Sequence, residues 1–484
     1  MRKQTKLVAV LSAAALLAMG ASMTSFAAGW EKDDSGIWHY YDSDDELVTG
    51  EWKKDGGKWF YLDDDGEMLT DSWVDDEYYV GEDGAMLVNT WKKTLSDEDM
   101  DDPEDDGEAW YYFGSKGKKT TSDSKKINGK TYFFDDDGKM RDGWYQDGTD
   151  VYYLGDEDDG ARASGWLWLE VPEEEDVDVN GHADDNDICD EEGWYYFGSN
   201  GKMYKDAAKK KINGKYYYFN EHGQMLYEWI NGAKVTKGSN AQLDGENPNA
   251  TPSDVYYMNV VEEGWRADGW YQIDGAEDLG ANNDTDWYYF KDGKAKKADK
   301  TKPADNSGLT DDGAPVYVAK IKVEGKYFAF NEKGQMQTGL QYIDGDTYYF
   351  DSNGYMKTGK VSNVEEENDS FTYYFQTKNG GNGKGVTGEK SGYLYWKGKR
   401  LEAEDDYRIY LVDNKYYLVN KQGKIQKSES KKYDLELADK EDVQFKFSGN
   451  TIKDLSSDLL EFVDVPKIEL YDNVISAAGI DEAE

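Results

Sequence analysis

The sequence predicts an all-β chain, a solenoid of stacked, aromatic-rich β-hairpins interrupted by acidic loop inserts. Three observations carry that prediction. The pair Asn213-Gly214 stands between two short runs, Lys209 to Ile212 and Tyr216 to Phe219, and an Asn-Gly pair so placed signals a two-residue hairpin turn whose central residues both need positive φ. The aromatic run then recurs, as at Tyr40, Tyr61 and Tyr79 or Tyr112, Phe133 and Tyr153, with a period of about 20 residues that marks a stacked repeat. Finally, 15% of the chain is aromatic, with 39 Tyr and 16 Trp. With two residues per strand repeat, Tyr216 and Tyr218 share one face and Tyr217 and Phe219 the other. A hairpin with rings on both faces is marginal alone in water and needs neighbours to cover them.

Taken in order, the chain opens with Arg2, Lys3 and Lys6, an apolar stretch from Leu7 to Met19, and the small-x-small site Ser25-Phe26-Ala27. That stretch is too short for a membrane span, so residues 1–27 are expected to be a secretory signal peptide. Residues 28–426 hold the repeats. Turn pairs precede the aromatic runs at Gly56-Gly57, Asn128-Gly129, Glu324-Gly325 and Asp344-Gly345. After each run comes a polar turn ending in glycine and a bulky apolar residue, as in Gly66-Glu67-Met68, Gly84-Ala85-Met86 and Gly138-Lys139-Met140. Glycine there permits the positive φ of a tight turn. A Gly-Trp pair opens the next unit, as at Gly29-Trp30, Gly143-Trp144, Gly165-Trp166 and Gly269-Trp270. Acidic or polar inserts near 92–109, 168–192, 231–254, 275–286 and 299–315 read as surface loops that break the period between units. Residues 427–484 leave the aromatic period and are expected to form a small strand-rich cap.

Charge and composition exclude several classes. With 56 Lys+Arg against 100 Asp+Glu, the formal net charge is −44. Such a field disfavours nucleic acid and anionic membrane surfaces and favours cationic or neutral partners. No second apolar stretch predicts a membrane span. The single cysteine, Cys189, rules out an intramolecular disulfide and reads as a bystander in an acidic loop.

Catalytic chemistry finds no foothold. His39, His182 and His222 have no His or Cys neighbour at metal-ligand spacing, and no nucleophile elbow, P-loop or dinucleotide fingerprint stands between a strand and a helix. The runs Asp63 to Gly66 and Asp135 to Gly138 lack the remainder of a twelve-residue calcium loop and read as solvated turns. No catalytic residue, metal or cofactor is therefore expected, and the chain reads as a binding protein rather than an enzyme.

With leader, hairpin turn, aromatic run, Gly-x-Met and Gly-Trp in place, the chain resembles the choline-binding or cell-wall-binding repeat family of Gram-positive secreted surface proteins over about 29–426. The likeness is strongest from Gly29 to Met86. It implies a left-handed superhelix of hairpins with ligand held between neighbours in a cage of aromatics. Carried over by motif position, one cage would be Trp30 and Trp38 with Tyr61, and a second Trp52 and Trp59 with Tyr79, lined by Met68. Aromatic faces hold a quaternary ammonium without a hydrogen-bond donor. Glu77, Val151 and Ala329 depart from the pattern, and Trp110 with Phe133 and Trp194 with Tyr218 form partial sets. The resemblance implies a secreted, non-catalytic protein that docks to a cell-wall polymer, a choline-bearing teichoic acid or a glycan. Two alternatives stand beside it: a lectin-like adhesin for glucans or host glycans, and the targeting module of a wall hydrolase.

Overall fold

The computed structural model describes residues 29–101, 107–122, 124–170, 177–179, 192–234, 241–243, 254–279, 284–309, 315–366, 369–377, 383–471 and 474–479. The expected signal peptide, Cys189 and His182 lie outside them. The fold is all-β, with short 3₁₀ turns as its only helical pieces among the described residues. It falls into two compact units, Met1–Leu226 with Lys234–Ala241 and Tyr227–Ala233 with Gln242–Glu484.

The first unit is a succession of antiparallel hairpins. They begin with β1 (Gly29–Lys32) and β2 (Trp38–Tyr41), then β3 (Glu51–Asp55) and β4 (Lys58–Leu62), then β5 (Ser72–Val74) and β6 (Tyr78–Val80). Next come β7 (Thr90–Thr94) with β8 (Ala109–Phe113), β9 (Ser124–Ile127) with β10 (Lys130–Phe133), and β11 (Trp144–Asp147) with β12 (Asp150–Tyr153). The last are β13 (Gly165–Leu169), which pairs with β15 (Gly193–Phe197) across the insert strand β14 (Val177–Val179), and β16 (Ala207–Ile212) with β17 (Lys215–Phe219).

Turn chemistry dictates these pairings. Asn213 at φ +48° and Gly214 at φ +86° make the two-residue turn of β16 and β17, as Asn128 and Gly129 do at +48° and +90° for β9 and β10. After the second strand, a carboxylate or amide folds the chain back on itself. Asp63 Oδ1 accepts from the amides of Asp65 (3.0 Å) and Glu67 (2.7 Å), and Asn220 Oδ1 does the same for His222 and Gln224. The acidic run Asp63 to Gly66 is thus spent on its own turn.

Two contacts stitch one hairpin to the next. The amide of each Gly-x-Met methionine donates to the carbonyl of the strand residue one hairpin earlier: Met68 to Trp38, Met86 to Trp59, Met140 to Trp110 and Met225 to Trp194, all at 2.8 Å. The side chains of Met68, Met86, Met140 and Met203 then lie over the turn glycine of the hairpin that follows. A Cβ added at Gly84 would meet Met68 Cε at 2.6 Å, and one at Gly223 would meet Met203 at the same distance. The glycine is required by its φ of +74° at Gly84 and also by this close approach.

The inserts were expected between units, and the structure places most of them elsewhere. Residues 95–108 join β7 to β8 and residues 170–192 join β13 to β15, so each replaces a two-residue hairpin turn. Strand register continues through the loop, with Trp91 opposite Tyr112 and Trp166 opposite Tyr196. Stacking between hairpins is therefore left intact.

The second unit repeats the plan. Its hairpins are β18 (Trp229–Asn231) with β19 (Val255–Tyr257) and β20 (Gly269–Asp274) with β21 (Thr285–Lys291), the latter extended by β22 (Lys294–Ala295). Strand β23 (Asn306–Leu309) lies beside β24 (Pro315–Val323), which pairs with β25 (Lys326–Asn331) and, through it, β26 (Met336–Gln337). Then follow β27 (Gly339–Ile343) with β28 (Asp346–Phe350) and β29 (Gly359–Glu366) with β30 (Asp369–Phe375). Beyond them a core of Ile409, Leu418, Tyr433, Leu435, Phe445, Ile452 and Leu459 joins a further hairpin to the residues after 427.

Candidate ligand-binding junctions

The junction between consecutive hairpins is built by one side chain above all, the tryptophan of the Gly-Trp pair or its positional equivalent. Trp52 stands opposite Tyr61 in its own hairpin, at 5.2 Å between ring centroids, and edge-on to Tyr78 of the next hairpin at 5.4 Å. Trp30 does the same with Tyr40 (5.2 Å) and Phe60 (5.3 Å). Trp91 pairs with Tyr112 (5.1 Å) and Tyr132 (4.9 Å), Trp166 with Tyr196 (5.0 Å) and Tyr217 (4.8 Å), and Trp270 with Tyr289 (5.2 Å) and Phe328 (4.7 Å). Edge-to-face pairs contribute about 0.5–1.5 kcal/mol each beyond the area they bury. Every such tryptophan contacts one ring within its hairpin, edge-on, and one across the junction, edge-on or, for Trp166 and Trp270, tilted, so the rings couple neighbours.

A second tryptophan forms the outer wall. Register sets Trp38 opposite Lys32, Trp59 opposite Lys54, Trp110 opposite Lys93 and Trp287 opposite Gln272, each on the sheet face that carries the leading tryptophan. Trp91 and Trp110 meet at 6.5 Å and 86°, and Trp270 and Trp287 at 6.5 Å and 74°. Two indoles at nearly right angles make a corner. Trp59 is 40% exposed and Trp287 42%, so at these two junctions the outer wall faces solvent, whereas Trp194 and the leading Trp30 are buried. The methionine of the following hairpin closes the set: Met68 packs with Trp30, Trp38 and Phe60, Met140 with Trp91, Trp110 and Tyr132, and Met336 with Trp270 and Phe328.

Among the described residues five junctions then carry two tryptophans, a third ring and a methionine. They are Trp30, Trp38, Phe60, Met68; Trp52, Trp59, Tyr78, Met86; Trp91, Trp110, Tyr132, Met140; Trp166, Trp194, Tyr217, Met225; and Trp270, Trp287, Phe328, Met336. The strand register sets Trp30 and Trp38, and Trp52 and Trp59, on one face of their hairpins. It regroups the rest. Tyr61 lies across from Trp52 in its own hairpin, and its neighbour Phe60 is the ring that reaches Trp30. Tyr79 is paired with Trp73, is 1% exposed, and donates its hydroxyl to Asp71 at 3.0 Å, while Tyr78 reaches Trp52. Met68 lines the first junction rather than the second. Likewise Tyr132 and Tyr217, not Phe133 and Tyr218, face Trp91 and Trp166. The ring that Ala329 lacks is not needed, because Phe328 fills the place beside Trp270. The physical reason is the pleat: adjacent residues point to opposite faces, so an error of one position swaps the ring facing the next hairpin for the ring facing its own.

Acidic groups border one of these corners. The Trp110 indole N–H donates to Asp158 Oδ1 at 3.0 Å, and Lys93 Nζ lies 2.8 Å from Glu157 and 3.1 Å from Asp158. The Trp110 hydrogen bond, then that of Lys93, holds the Asp158 carboxyl below the usual carboxylate range. Carboxylates beside an aromatic corner favour a cation.

The junction that follows β9 and β10 has no tryptophan and a polar lining. Ser124 and Thr131 stand at the two tryptophan positions of β9 and β10, and the amide of Arg162 donates to the Thr131 carbonyl at 2.8 Å in place of a methionine amide. There a cleft of about 570 Å³ opens, lined among others by Lys130, Thr131, Tyr153, Asp156, Asp159 and Arg162. Burial pushes the Tyr153 phenol up to about 12. Sequence reasoning missed this cleft, whose signal is the pair of small polar residues, Ser124 and Thr131, at both tryptophan positions.

Comparison with known proteins agrees with this architecture. Choline-binding repeat models match residues 46–86 and, in a second form, 120–166, 190–231 and 337–385, and a cell wall binding repeat model matches 28–44 and 104–119. The chain is 26% identical over 262 residues to a glucosyltransferase-S of Streptococcus mutans serotype c, covering 53% of this chain and 14% of that protein. A glucosyltransferase-I of Streptococcus downei is 27% identical over 274 residues, covering 51% of this chain and 16% of the relative. This chain thus spans a small part of the length of those relatives. Among solved structures, choline binding protein F of Streptococcus pneumoniae is 21% identical at a TM-score of 0.33, over 75% of this chain and 100% of that one. The modular autolysin LytC of the same species is 20% identical at a TM-score of 0.36, over 71% of this chain and 57% of that one. On these matches, the chain carries choline-binding and cell wall binding repeats.

Proposed function

We propose that this chain is an exported, non-catalytic protein that docks to the Gram-positive envelope by holding choline, or a comparable cationic substituent of a wall polymer such as teichoic acid, in the aromatic corners between its hairpins. Residues 1–27 would direct export, 28–426 would bind, and 427–484 would cap the stack. The observation that carries the reading is the recurrence of one chemical set, two tryptophans, a third ring and a methionine, at five junctions. A quaternary ammonium neither donates nor accepts a hydrogen bond, and all of those positions offer a π face or a polarizable sulfur, which suits that ligand. Each contact adds roughly 0.5–2 kcal/mol when desolvated. Several weak sites on one chain raise the effective concentration at a polymer surface far beyond any single affinity.

A glycan reading has its own support in the polar cleft at Thr131 and Arg162, where hydroxyl, carboxylate and guanidinium groups converge without tryptophans. Binding to purified walls in the presence of free choline or of a free isomaltooligosaccharide separates the two. Release by choline alone supports the docking reading, and release by the saccharide alone replaces it with the glycan reading.

A further inference from the structure

Two junctions keep the geometry of the corners but change their chemistry in a related way. Between β5–β6 and β7–β8 the outer tryptophan is replaced by Glu77 and the methionine by Lys119. The equivalence is structural, because the Lys119 amide donates to the Glu77 carbonyl at 2.8 Å, as Met86 donates to Trp59. The leading Trp73 and the third ring Tyr111 remain, 4.8 Å apart. The Lys119 side chain is 9% exposed, with Nζ 5.3 Å from the Trp73 ring centroid and 2.5 Å from Asp76 Oδ1. Next to it Lys118 bridges to Glu77.

The second case lies between β24–β25 and β27–β28. Lys320 stands opposite Ala329, in the register position that a leading tryptophan takes elsewhere. Its Nζ lies 4.0 Å from the centroid of Tyr348, the third ring, and 5.4 Å from Tyr327, the outer strand position. Tyr327 is identified as that position by its carbonyl, which accepts the Met356 amide at 3.1 Å. Desolvation, then repulsion from Lys384, lowers the Lys320 pKa, as an ammonium enclosed by rings requires. By contrast, Lys32 and Lys54, 5.5 Å from Trp38 and Trp59, are exposed on strand surfaces and free to swing away.

We propose that Lys119 and Lys320 are tethered occupants of these two junctions, each supplying from within the chain the ammonium that the intact corners take from a ligand. The inference rests on reading the corners as quaternary-ammonium sites. Its consequence is a division of labour along the stack. Junctions with a tethered lysine are held closed whether or not ligand is present, and ligand uptake is confined to those that keep both tryptophans and the methionine.

The test combines calorimetric titration of the full chain with choline and mass-spectrometric rates of lysine methylation by formaldehyde and borohydride. The double variant Glu77→Trp, Lys119→Met rebuilds the intact set and is expected to take up one more choline equivalent than the unchanged protein. Lys119 and Lys320 are expected to be methylated at least tenfold more slowly than the exposed Lys58 and Lys118. The proposal is overturned if the unchanged protein binds choline while a variant of native circular dichroism gains no equivalent, or if both lysines react as fast as Lys58. Should the unchanged protein bind no choline at all, the docking reading falls, and the methylation rates still decide whether the lysines occupy the junctions.

Discussion

The Trp52 indole lies 5.4 Å from the ring of Tyr78 at an interplanar angle of 65°, and Tyr78 belongs to the following hairpin. A single side chain therefore joins hairpin to hairpin and forms the inner wall of a corner whose outer wall is the exposed Trp59. Stability and binding are divided between the two tryptophans, and substitutions separate them.

Trp59→Ala is expected to change the unfolding free energy little, within about 0.5 kcal/mol, as for surface positions, and to weaken a quaternary ammonium at that junction by roughly 0.5–2 kcal/mol. Trp52→Ala loses both roles, and because Trp52 is only partly buried its destabilisation is expected to fall below the roughly 3–5 kcal/mol of a fully buried Trp truncation. Chemical denaturation and titration with choline, read side by side on the two variants, check the split.

The neighbouring tyrosines divide in the same way. Tyr78→Ala removes the third ring and is expected to weaken ligand. Tyr79→Phe deletes the hydroxyl that donates to Asp71, at a cost of about 0.5–1.5 kcal/mol of stability, and leaves ligand affinity unchanged. Equal effects of both on affinity would contradict the assignment of Tyr78.

Much of this architecture is legible in the sequence, and the limits have a physical cause. Asn213-Gly214 and Gly56-Gly57 announce their turns because few other pairs accept positive φ twice. The leading and outer tryptophans can be found from the same motif. The third ring cannot, since Phe60 and Tyr61 are adjacent aromatics on opposite faces, and which face meets the next hairpin depends on how two hairpins are staggered. Register across the inserts is equally hidden, because Trp91 and Tyr112 find each other over a loop whose length says nothing of pairing. Lys119 and Lys320 look like ordinary surface lysines until the amide stitch and the strand register place them at the methionine and leading positions.

Glycines in the closing turns should be unequal. Gly84→Ala forces a side chain into φ +74° and onto Met68, with an expected loss of about 1–3 kcal/mol. Gly57→Ala has φ +86° but nothing within 4 Å of the added carbon, so only the backbone cost of roughly 1–2 kcal/mol applies. Thermal unfolding of the two variants gives the order.

Buried tyrosines set an alkaline limit. Burial pushes the phenols of Tyr153 and Tyr348 up to about 12, so the folded state retains protons that the unfolded chain releases. Their contribution to stability is complete below the ordinary phenol pKa of about 10 and is lost as pH rises towards 12. Tyrosinate absorbance followed together with circular dichroism should show part of the tyrosines titrating only as the fold is lost.

The most direct measurement of the central claim is retention of the full chain on a choline-bearing matrix, with elution by free choline, run beside the double variant Trp52→Ala, Trp59→Ala. The account predicts retention, choline-specific elution, and earlier elution of the variant. A folded protein that flows straight through, or one eluted equally well by salt, would contradict it.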